Sequence, residues 1–270
     1  MQFMAIGFAF VGLVITLTGG AVYLNKLKQS RAPKHPVGFS AALISATVIG
    51  TYAVYLAWPS ALSTVITVLP LLFTAMLAFV FFFFLGQKNP PLNDIKIKVG
   101  EPILPFTVPA HDGSLFDSEK LKGRRTLLKF FRGSWCPYCS AELKMFEQMR
   151  AELEAKGIDI VALSDDTIEQ AQLHHQRDQL QFTLLSDPSL RVIRAYGVEH
   201  HKALGFKSEN IKQVLGLSMA MLKPSYRSMA IPTSVLVDEF GVVQWIDQSE
   251  DYRLRASKDS VMAAIERSFN

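Results

Sequence analysis

Two long runs without a charged side chain, Met1–Leu24 and Val37–Gly86, constrain the fold of this chain more than any other feature. A helix that crosses the hydrocarbon core of a bilayer needs roughly 20 apolar residues. The first run has room for one such helix. The second has room for two, divided at Trp58-Pro59-Ser60 because proline suits a turn or a first helical position. The sequence therefore predicts an all-α membrane anchor over residues 1–86, with spans at about 3–24, 37–57 and 62–85.

Basic residues beside these runs predict an orientation. The only lysines and arginines before Lys88 are Lys26, Lys28, Arg31 and Lys34, all in the segment 25–36. Such residues collect in short loops on the cytoplasmic side of a membrane. We therefore expect an integral protein of the bacterial inner-membrane type, with its N-terminus outside and its C-terminal domain in the cytoplasm. The first run is too long, and lacks the basic start, for a cleaved signal peptide.

The same four residues account for the whole formal charge of +4, because the other 24 basic residues are balanced by 24 acidic ones. The net charge is thus confined to one loop and does not indicate a nucleic-acid partner. The spans contain neither charges nor cysteines, so we expect an anchor that contacts the lipid bilayer and carries no ion or thiol path. Gly12, Thr16 and Gly20 form a small-residue stripe that could pack against another helix, which leaves a homodimer open.

After a linker at 87–97, residues 98–270 alternate between strand and helix patterns. Predicted strands lie near 103–108, 126–131, 158–163, 182–185, 233–237 and 242–246, and predicted helices near 137–156, 167–180, 188–196 and 257–268. This alternation predicts a layered α/β domain with a central mixed sheet. The segment 199–229 is less regular. It contains an amphipathic piece near 210–222 and three methionines, Met219, Met221 and Met229. It is either an amphipathic helix on the sheet or a lid or partner surface beside the cysteines.

The only two cysteines, Cys136 and Cys139, lie where the apolar run 126–131 gives way to a helical pattern. Pro137 suits the first helical position, so Cys136 would stand at a helix N-terminus, where backbone N–H groups and the helix dipole favour a thiolate. Cys139 follows one turn later and could attack a mixed disulfide formed on Cys136. Trp135 could shield the pair.

Two other interpretations of the cysteines remain, a zinc site and two inert thiols. Zinc usually takes four ligands, often from two cysteine pairs, and this chain has one pair. The histidines that could supplement it are His111, His174, His175, His200 and His201. The sequence favours redox chemistry over both, and we expect neither a metal nor a cofactor.

Residues 98–268 resemble thioredoxin-like redoxins of the alkyl hydroperoxide reductase/thiol-specific antioxidant (AhpC/TSA) family, in particular a peroxiredoxin-like group with a Trp-Cys-Pro-Tyr-Cys motif. The matching pieces are 99–101, 105–106, 135–139, 160–164, 186–187, 231–238 and 251–255. The resemblance implies a thioredoxin-like α/β fold with helices flanking the sheet. It also implies an oxidoreductase that acts on thiols, disulfides or peroxides and has antioxidant activity.

The chain departs from the peroxiredoxin pattern at the reacting centre. The resemblance puts the peroxidatic position at Cys139, with Cys136 replacing a threonine, Arg132 a proline and Pro232 an arginine. A peroxide site without that hydroxyl and that arginine lacks groups to stabilise charge on a breaking O–O bond. Pro232 resembles instead the cis-proline of thioredoxins, which lies across from the cysteine pair and helps to bind an extended substrate.

Three supporting residues complete the predicted substrate groove, Ile231 next to Pro232, and Arg132 and Pro137 in the cysteine motif. The buried acid of thioredoxins, six residues before the first cysteine, is replaced by Phe130. Proton transfer would therefore need water, Glu142 or another group.

The sequence thus predicts a membrane-anchored thiol–disulfide oxidoreductase in which Cys136 attacks a disulfide and Cys139 resolves it. The expected partners are a protein or small-molecule thiol or disulfide substrate and a separate thiol electron donor. One alternative is a thiol peroxidase with Cys139 as the peroxidatic and Cys136 as the resolving residue. Another is a non-catalytic redox sensor or metal-assembly factor.

Overall fold

The computed structural model describes the chain except for Pro59, Asn93, 207–210, 215–216, 221–223, Asn270 and the side chains of 206–224. The chain separates into two compact units. One comprises residues 1–27 and 32–88, and the other comprises residues 28–31 and 89–270.

Three helices form the first unit: α1 (Gln2–Lys28), α2 (Val37–Ala57) and α3 (Ala61–Gly86). All three are long and apolar enough to cross a membrane, as predicted. Pro59 of the predicted dividing turn lies outside the described residues, but Ser60 accepts a hydrogen bond from the Ser63 N–H and so caps α3. A serine at this position satisfies an N–H group that the helix leaves unpaired.

The small-residue stripe of α1 packs within this unit. The Thr16 hydroxyl donates to the Gly12 carbonyl at 3.0 Å and lies 3.1 Å from the Thr74 hydroxyl. A Cβ on Gly12 would stand 3.1 Å from the Ala46 carbonyl oxygen. Close approach of backbones at small residues is typical of membrane helices. The stripe thus contacts helices of the same chain, and the homodimer stays a prediction.

The second unit is built on a five-stranded mixed sheet. Its strands, in spatial order, are β11 (Val243–Gln248), β10 (Thr233–Val237), β3 (Arg125–Phe130), β4 (Ile158–Ser164) and β5 (Thr183–Ser186). The last three run parallel, whereas β10 is antiparallel to both of its neighbours. The flanking helices are α4 (Pro137–Ala155), α5 (Ile168–Asp178), α6 (Arg191–Ala195) and α7 (Lys258–Phe269). The predicted α/β layering is therefore confirmed.

Both faces of the sheet are covered. Leu127 and Leu128 are fully buried and belong to different hydrophobic clusters, as alternating side chains of a strand must. On the Leu127 face, the buried residues of α4 include Leu143, Phe146, Met149 and Leu153. Their spacing follows the helical repeat, which is why the sequence predicted this helix.

Two predicted elements are shorter in the structure. The strand at 103–108 is reduced to β1 (Thr107–Pro109), which pairs with β2 (Leu115–Asp117). The helix at 188–196 shortens to α6, because Leu190 has a left-handed backbone conformation with φ +60°. The Asp187 carboxylate accepts the N–H groups of Arg191 and Val192 at the helix start.

The amphipathic helix predicted near 210–222 is wrong. The chain there forms a hairpin of β7 (Ile211–Val214) and β8 (Leu217–Ala220), while Asn210, Met221 and Leu222 lie outside the described residues. Short apolar patterns fit a helix or a strand about equally well. In the sequence these two strands lie between two longer ones, β6 (Glu199–Phe206) and β9 (Pro224–Ala230), which pair antiparallel with each other.

Candidate redox site

The two cysteines lie where β3 passes into α4, at the carboxyl edge of the parallel strands. Cys136 has extended backbone angles and immediately precedes α4, and Pro137 opens the helix, as the sequence predicted. The connecting loop needs glycine at position 133. Its φ is +126°, and a Cβ there would approach Trp135 Nε1 to 2.8 Å. Cys139 lies in α4, one helical turn after Cys136.

Asp166 fixes this loop from the end of β4. Its carboxylate accepts hydrogen bonds from the Ser134 N–H at 2.7 Å and from the Ser134 hydroxyl at 3.1 Å. From α5, Arg177 donates to the Ser134 carbonyl at 3.1 Å. Charge-assisted hydrogen bonds of this kind hold the loop more firmly than neutral ones.

Both cysteines are free thiols and buried, with exposed fractions of 1% for Cys136 and 0% for Cys139. Burial raises the pKa of the Cys136 thiol well above its usual range, and its hydrogen bond to Cys139 raises it further. Burial also opposes ionisation of Cys139. The Cys136 S–H donor and the Arg255 charge outweigh it and lower the pKa of Cys139 to about 6. These surroundings favour the thiolate on Cys139, whereas the sequence predicted it on Cys136 at the helix N-terminus.

An arginine that the sequence did not single out faces the thiolate. Arg255 Nη2 donates to Cys139 Sγ at 3.5 Å, and the Arg132 backbone N–H also donates to this sulfur. Arg255 is in turn paired with Glu142, with 2.7 Å between Nε and Oε2. The sequence comparison placed Pro232 where peroxiredoxins have an arginine, but here a guanidinium reaches the sulfur from the segment after β11. The only sequence signal was the family resemblance over 251–255.

The Arg132 side chain joins the loop before Cys136 to the antiparallel pair of β6 and β9, called the long hairpin below. Its Nη2 donates to the Leu204 carbonyl at 2.7 Å and its Nε to Met229 Sδ at 3.1 Å. The guanidinium carbon also lies 5.1 Å from the Trp135 ring centre and 4.2 Å from that of Tyr252, within cation–π range.

The hairpin arms β6 and β9 cover Trp135. A Cβ on Gly205 would come within 2.6 Å of Met229 Cε and 3.2 Å of Trp135 Cζ2, so the hairpin and the indole are in close contact. Trp135 and Met229 are 3% and 0% exposed. Of the alternatives for the 199–229 segment, the lid beside the cysteines agrees with these contacts.

Ile231 and Pro232 are buried at the same sheet edge, because β10 pairs Thr233 with Phe130. The described residues contain no cis peptide bond, so the predicted cis form of the bond before Pro232 is wrong. The Ile231 N–H donates to the Val198 carbonyl and the Pro232 carbonyl accepts from Ser249 N–H, at 2.7 and 3.0 Å. Backbone partners on both sides hold the chain extended from β9 into β10, and the trans form is also the intrinsically preferred one.

The histidines are dispersed. His111 and His175 stack with ring centres 3.9 Å apart, whereas His174 is buried with its Nε2 3.2 Å from Asp178. Within the part of the chain that the structure describes, no group of three or more His, Cys, Asp or Glu side chains could hold a metal ion.

Comparison with known proteins gives consistent matches. Residues 99–246 match the AhpC/TSA family. Peroxiredoxin Bcp of Escherichia coli K12 is 28% identical over 107 residues, which are 40% of this chain and 69% of that protein. The thiol-disulfide oxidoreductase ResA of Halalkalibacterium halodurans is 29% identical over 102 residues, or 37% of this chain and 57% of ResA.

Among solved structures, reduced Prx3 from Vibrio vulnificus superimposes with a TM-score of 0.52 at 18% identity. The superposition covers 63% of this chain and 99% of Prx3. At this identity the match shows the fold, and the predicted thioredoxin-like α/β fold is confirmed.

Proposed function

Since this chain belongs to the AhpC/TSA family, we propose that it reduces hydroperoxides. The relatives that it matches are oxidoreductases acting on thiols. In this proposal Cys139 is the attacking thiolate and Cys136 the resolving thiol. The observation that carries the proposal is the contact of Arg255 with the Cys139 sulfur. It gives the site the ionised nucleophile and the cationic donor that peroxide reduction requires.

In the first step the Cys139 thiolate attacks one peroxide oxygen and the O–O bond breaks. Two electrons pass from sulfur to the peroxide, Cys139 becomes a sulfenic acid, and the departing alkoxide takes up a proton to leave as an alcohol. Arg255 and the Arg132 N–H face the sulfur at which charge is redistributed, so they favour this step electrostatically.

In the second step the Cys136 sulfur attacks the Cys139 sulfenic acid. A disulfide forms and water leaves, a condensation open to a sulfenic acid beside a thiol. Two equivalents of an external thiol then reduce the Cys136–Cys139 disulfide by exchange and leave as the donor's disulfide. The cycle needs no metal or organic cofactor.

The burial of both sulfurs limits what can react. A small hydroperoxide needs less opening of the site than the extended chain of a protein disulfide. The buried Ile231 and Pro232, expected to line a groove for such a chain, support the smaller substrate.

A thiol–disulfide oxidoreductase remains the second candidate. It is favoured by the position of Cys136 at the start of α4, two residues from its partner, an arrangement that suits exchange with an outside disulfide. In this case Cys136 would attack and Cys139 would resolve.

The two cysteine variants distinguish these functions when each is assayed with tert-butyl hydroperoxide and with oxidised glutathione. We expect Cys139→Ser to abolish peroxide consumption, whereas Cys136→Ser should still consume about one equivalent per chain and then stop. Peroxide consumption that survives Cys139→Ser would contradict the proposal. A mixed disulfide with glutathione trapped on Cys136 in Cys139→Ser, with none formed in Cys136→Ser, would favour the second candidate.

We further propose that α1–α3 anchor the enzyme in a membrane with the catalytic unit on the cytoplasmic side. The basic residues in the segment 25–36 support this orientation. A reporter enzyme fused after Asn270 tests it, and activity of a reporter that works only after export would contradict it.

A further inference from the structure

Three charged side chains lie behind Cys139 and are almost completely enclosed. Glu142 stands in the middle, with Oε1 2.7 Å from Lys129 Nζ and Oε2 2.7 Å from Arg255 Nε. The three side chains are at most 2% exposed. Charges removed from water in this way are tolerated only when they compensate one another. The enclosure therefore favours a cluster whose net charge is zero.

The charges balance only when Cys139 is a thiolate. Lys129 and Arg255 provide two positive charges, and Glu142 and Cys139 two negative ones. Formation of the Cys136–Cys139 disulfide removes the charge on sulfur and leaves one positive charge uncompensated. Arg255 cannot release a proton in a protein, whereas a lysine can, and does so more readily when buried.

The elements packed around Lys129 present both charged and uncharged groups to it. Glu142 faces it from α4, and the Ser234 hydroxyl from β10 accepts its hydrogen bond at 3.0 Å. Arg255 and the half-buried Asp247 of β11 act on it electrostatically. Its partner on β4 is the uncharged Ala162.

Lys129 can lose a proton without losing its contacts. Burial lowers the pKa of Lys129, and the Glu142 carboxylate opposes that shift. A neutral amine keeps two N–H donors, enough for both Glu142 and Ser234. Asp247 is the other group near the cluster that could restore neutrality, by ionising, since burial raises the pKa of its carboxyl.

We propose that Lys129 releases one proton when the Cys136–Cys139 disulfide forms and takes one up when it is reduced. The proposal rests on the dithiol–disulfide cycle proposed above. When the Lys129 proton is included, the overall reaction consumes a hydroperoxide, the Cys136 thiol, the Cys139 thiolate and the Lys129 ammonium. It yields a disulfide, an alcohol, water and a neutral Lys129 amine. Atoms, charge and the two electrons balance without a proton from the buffer. Lys129 acts through Glu142 and Arg255 and touches neither sulfur, so it is a charge-compensating residue.

The reduction potential as a function of pH tests this inference. The full 270-residue chain in detergent is equilibrated with dithiothreitol redox buffers, and its thiols are counted by the mass shift on alkylation. Absorbance at 240 nm identifies the pH range in which Cys139 is a thiolate. In that range the sulfurs take up one proton on reduction, which corresponds to about 29.6 mV per pH unit for two electrons. We expect twice this slope, about 59 mV, and a one-proton slope would overturn the proposal.

Two variants assign the extra proton. Lys129→Arg keeps the positive charge but cannot lose it, so the slope should fall to one proton and the disulfide should become easier to reduce. Asp247→Asn should keep the two-proton slope, and a fall to one proton in this variant would assign the proton to Asp247 and overturn the proposal. If Lys129→Arg does not fold, the wild-type slope and Asp247→Asn still decide.

The same titration separates this inference from the function on which it rests. A chain that forms no Cys136–Cys139 disulfide in any redox buffer would refute the proposed cycle. A chain that forms the disulfide with a one-proton slope would refute only the role of Lys129.

Discussion

Arg255 Nη2 lies 3.5 Å from Cys139 Sγ, although 116 residues separate them. The arginine reaches the thiolate from the segment after β11, where Asp251 accepts from the Arg253 N–H at 3.0 Å and pairs with its guanidinium at 2.6 Å. Arg255 also donates to the Tyr252 and Leu254 carbonyls. The Cys139 sulfur thus comes from the start of α4, and the Arg255 guanidinium comes from the segment after β11. The fold holds both in place.

Replacement of this arginine should raise the pKa of the reacting thiol. In Arg255→Met the Cys139 thiolate loses its nearest cation, and an opposite charge at such a distance shifts a pKa by roughly 1–3 units. We expect the midpoint of the absorbance at 240 nm to rise by at least about one pH unit, and the rate of peroxide consumption at pH 6.5 to fall about threefold or more.

Arg267→Met is the matched control, since Arg267 is an exposed arginine of α7. It should leave the titration of the thiol unchanged. An Arg255→Met chain whose thiol titrates like the wild type would show that the guanidinium does not stabilise the thiolate.

The pH dependence of the reaction should follow Cys139. Because its pKa is about 6, the second-order rate with hydrogen peroxide should increase about tenfold per pH unit below that value and level off above pH 7. Stopped-flow measurement of the reduced chain in detergent provides the profile. A rate that continues to rise through pH 8.5, the ordinary value of a thiol, would contradict the assignment.

The same shift has a consequence for stability, and its sign is fixed. The pKa of Cys139 is lower in the fold than in the unfolded chain, so the thiolate stabilises the reduced protein fully above about pH 8.5. This contribution is lost as the pH falls to about 6. The reduced chain should therefore become more resistant to thermal unfolding between pH 6 and 8.5, and Cys139→Ser should remove that part of the dependence.

Local sequence patterns were sufficient for most of the fold. The alternation of buried strands and amphipathic helices predicted β3, α4, β4 and β10 to within about two residues, because their buried residues are close together in the chain. The position of Cys136 before Pro137 at a helix start was likewise predictable from two adjacent residues.

The charge environment of the site was not predictable in the same way. The opposite shifts of the two thiol pKa values depend on burial, on the hydrogen bond between the two sulfurs and on Arg255. Arg255 is 116 residues away from Cys139 in the sequence, so no local pattern could show this contact. The cis form at Pro232 was inferred from one residue type, whereas the structure fixes this bond through backbone partners on Val198 and Ser249.

Asp187 should contribute measurably to the stability of the catalytic unit. Its carboxylate accepts backbone N–H groups from Arg191, Val192 and Ile193 at 2.8–3.0 Å, which satisfies donors at the start of α6. Loss of a capping side chain costs about 1 kcal/mol. Asp187→Ala should therefore lower the thermal unfolding midpoint by about 2–4 °C for a domain of this size.

Asp187→Asn and Ser189→Ala are the matched variants. The first keeps one side-chain oxygen acceptor and should lose less stability, and the second removes only a hydroxyl that donates to Asp187. Equal unfolding midpoints for Asp187→Ala and the wild type would show that hydrogen bonds to water replace those to the carboxylate without loss of stability.

The hairpin formed by β6 and β9 should control access to the cysteines. Met229 is fully buried between Arg132 and Gly205, and it contributes to the cover over Trp135. Truncation of a buried methionine to alanine costs about 2–5 kcal/mol, and here the loss falls on the contact between hairpin and loop. Met229→Ala should therefore speed alkylation of the reduced cysteines by a bulky maleimide several-fold, and by small iodoacetamide less.

Tyr226→Ala changes the same strand at an exposed position, where 63% of the residue faces solvent, and should leave both alkylation rates unchanged. In Met229→Ala the rate of reduction should likewise increase more for cumene hydroperoxide than for hydrogen peroxide, because only the larger substrate needs the wider opening. If Met229→Ala and Tyr226→Ala accelerate alkylation equally, or neither does, the hairpin is not the barrier, and the sulfurs are reached from another side of the fold.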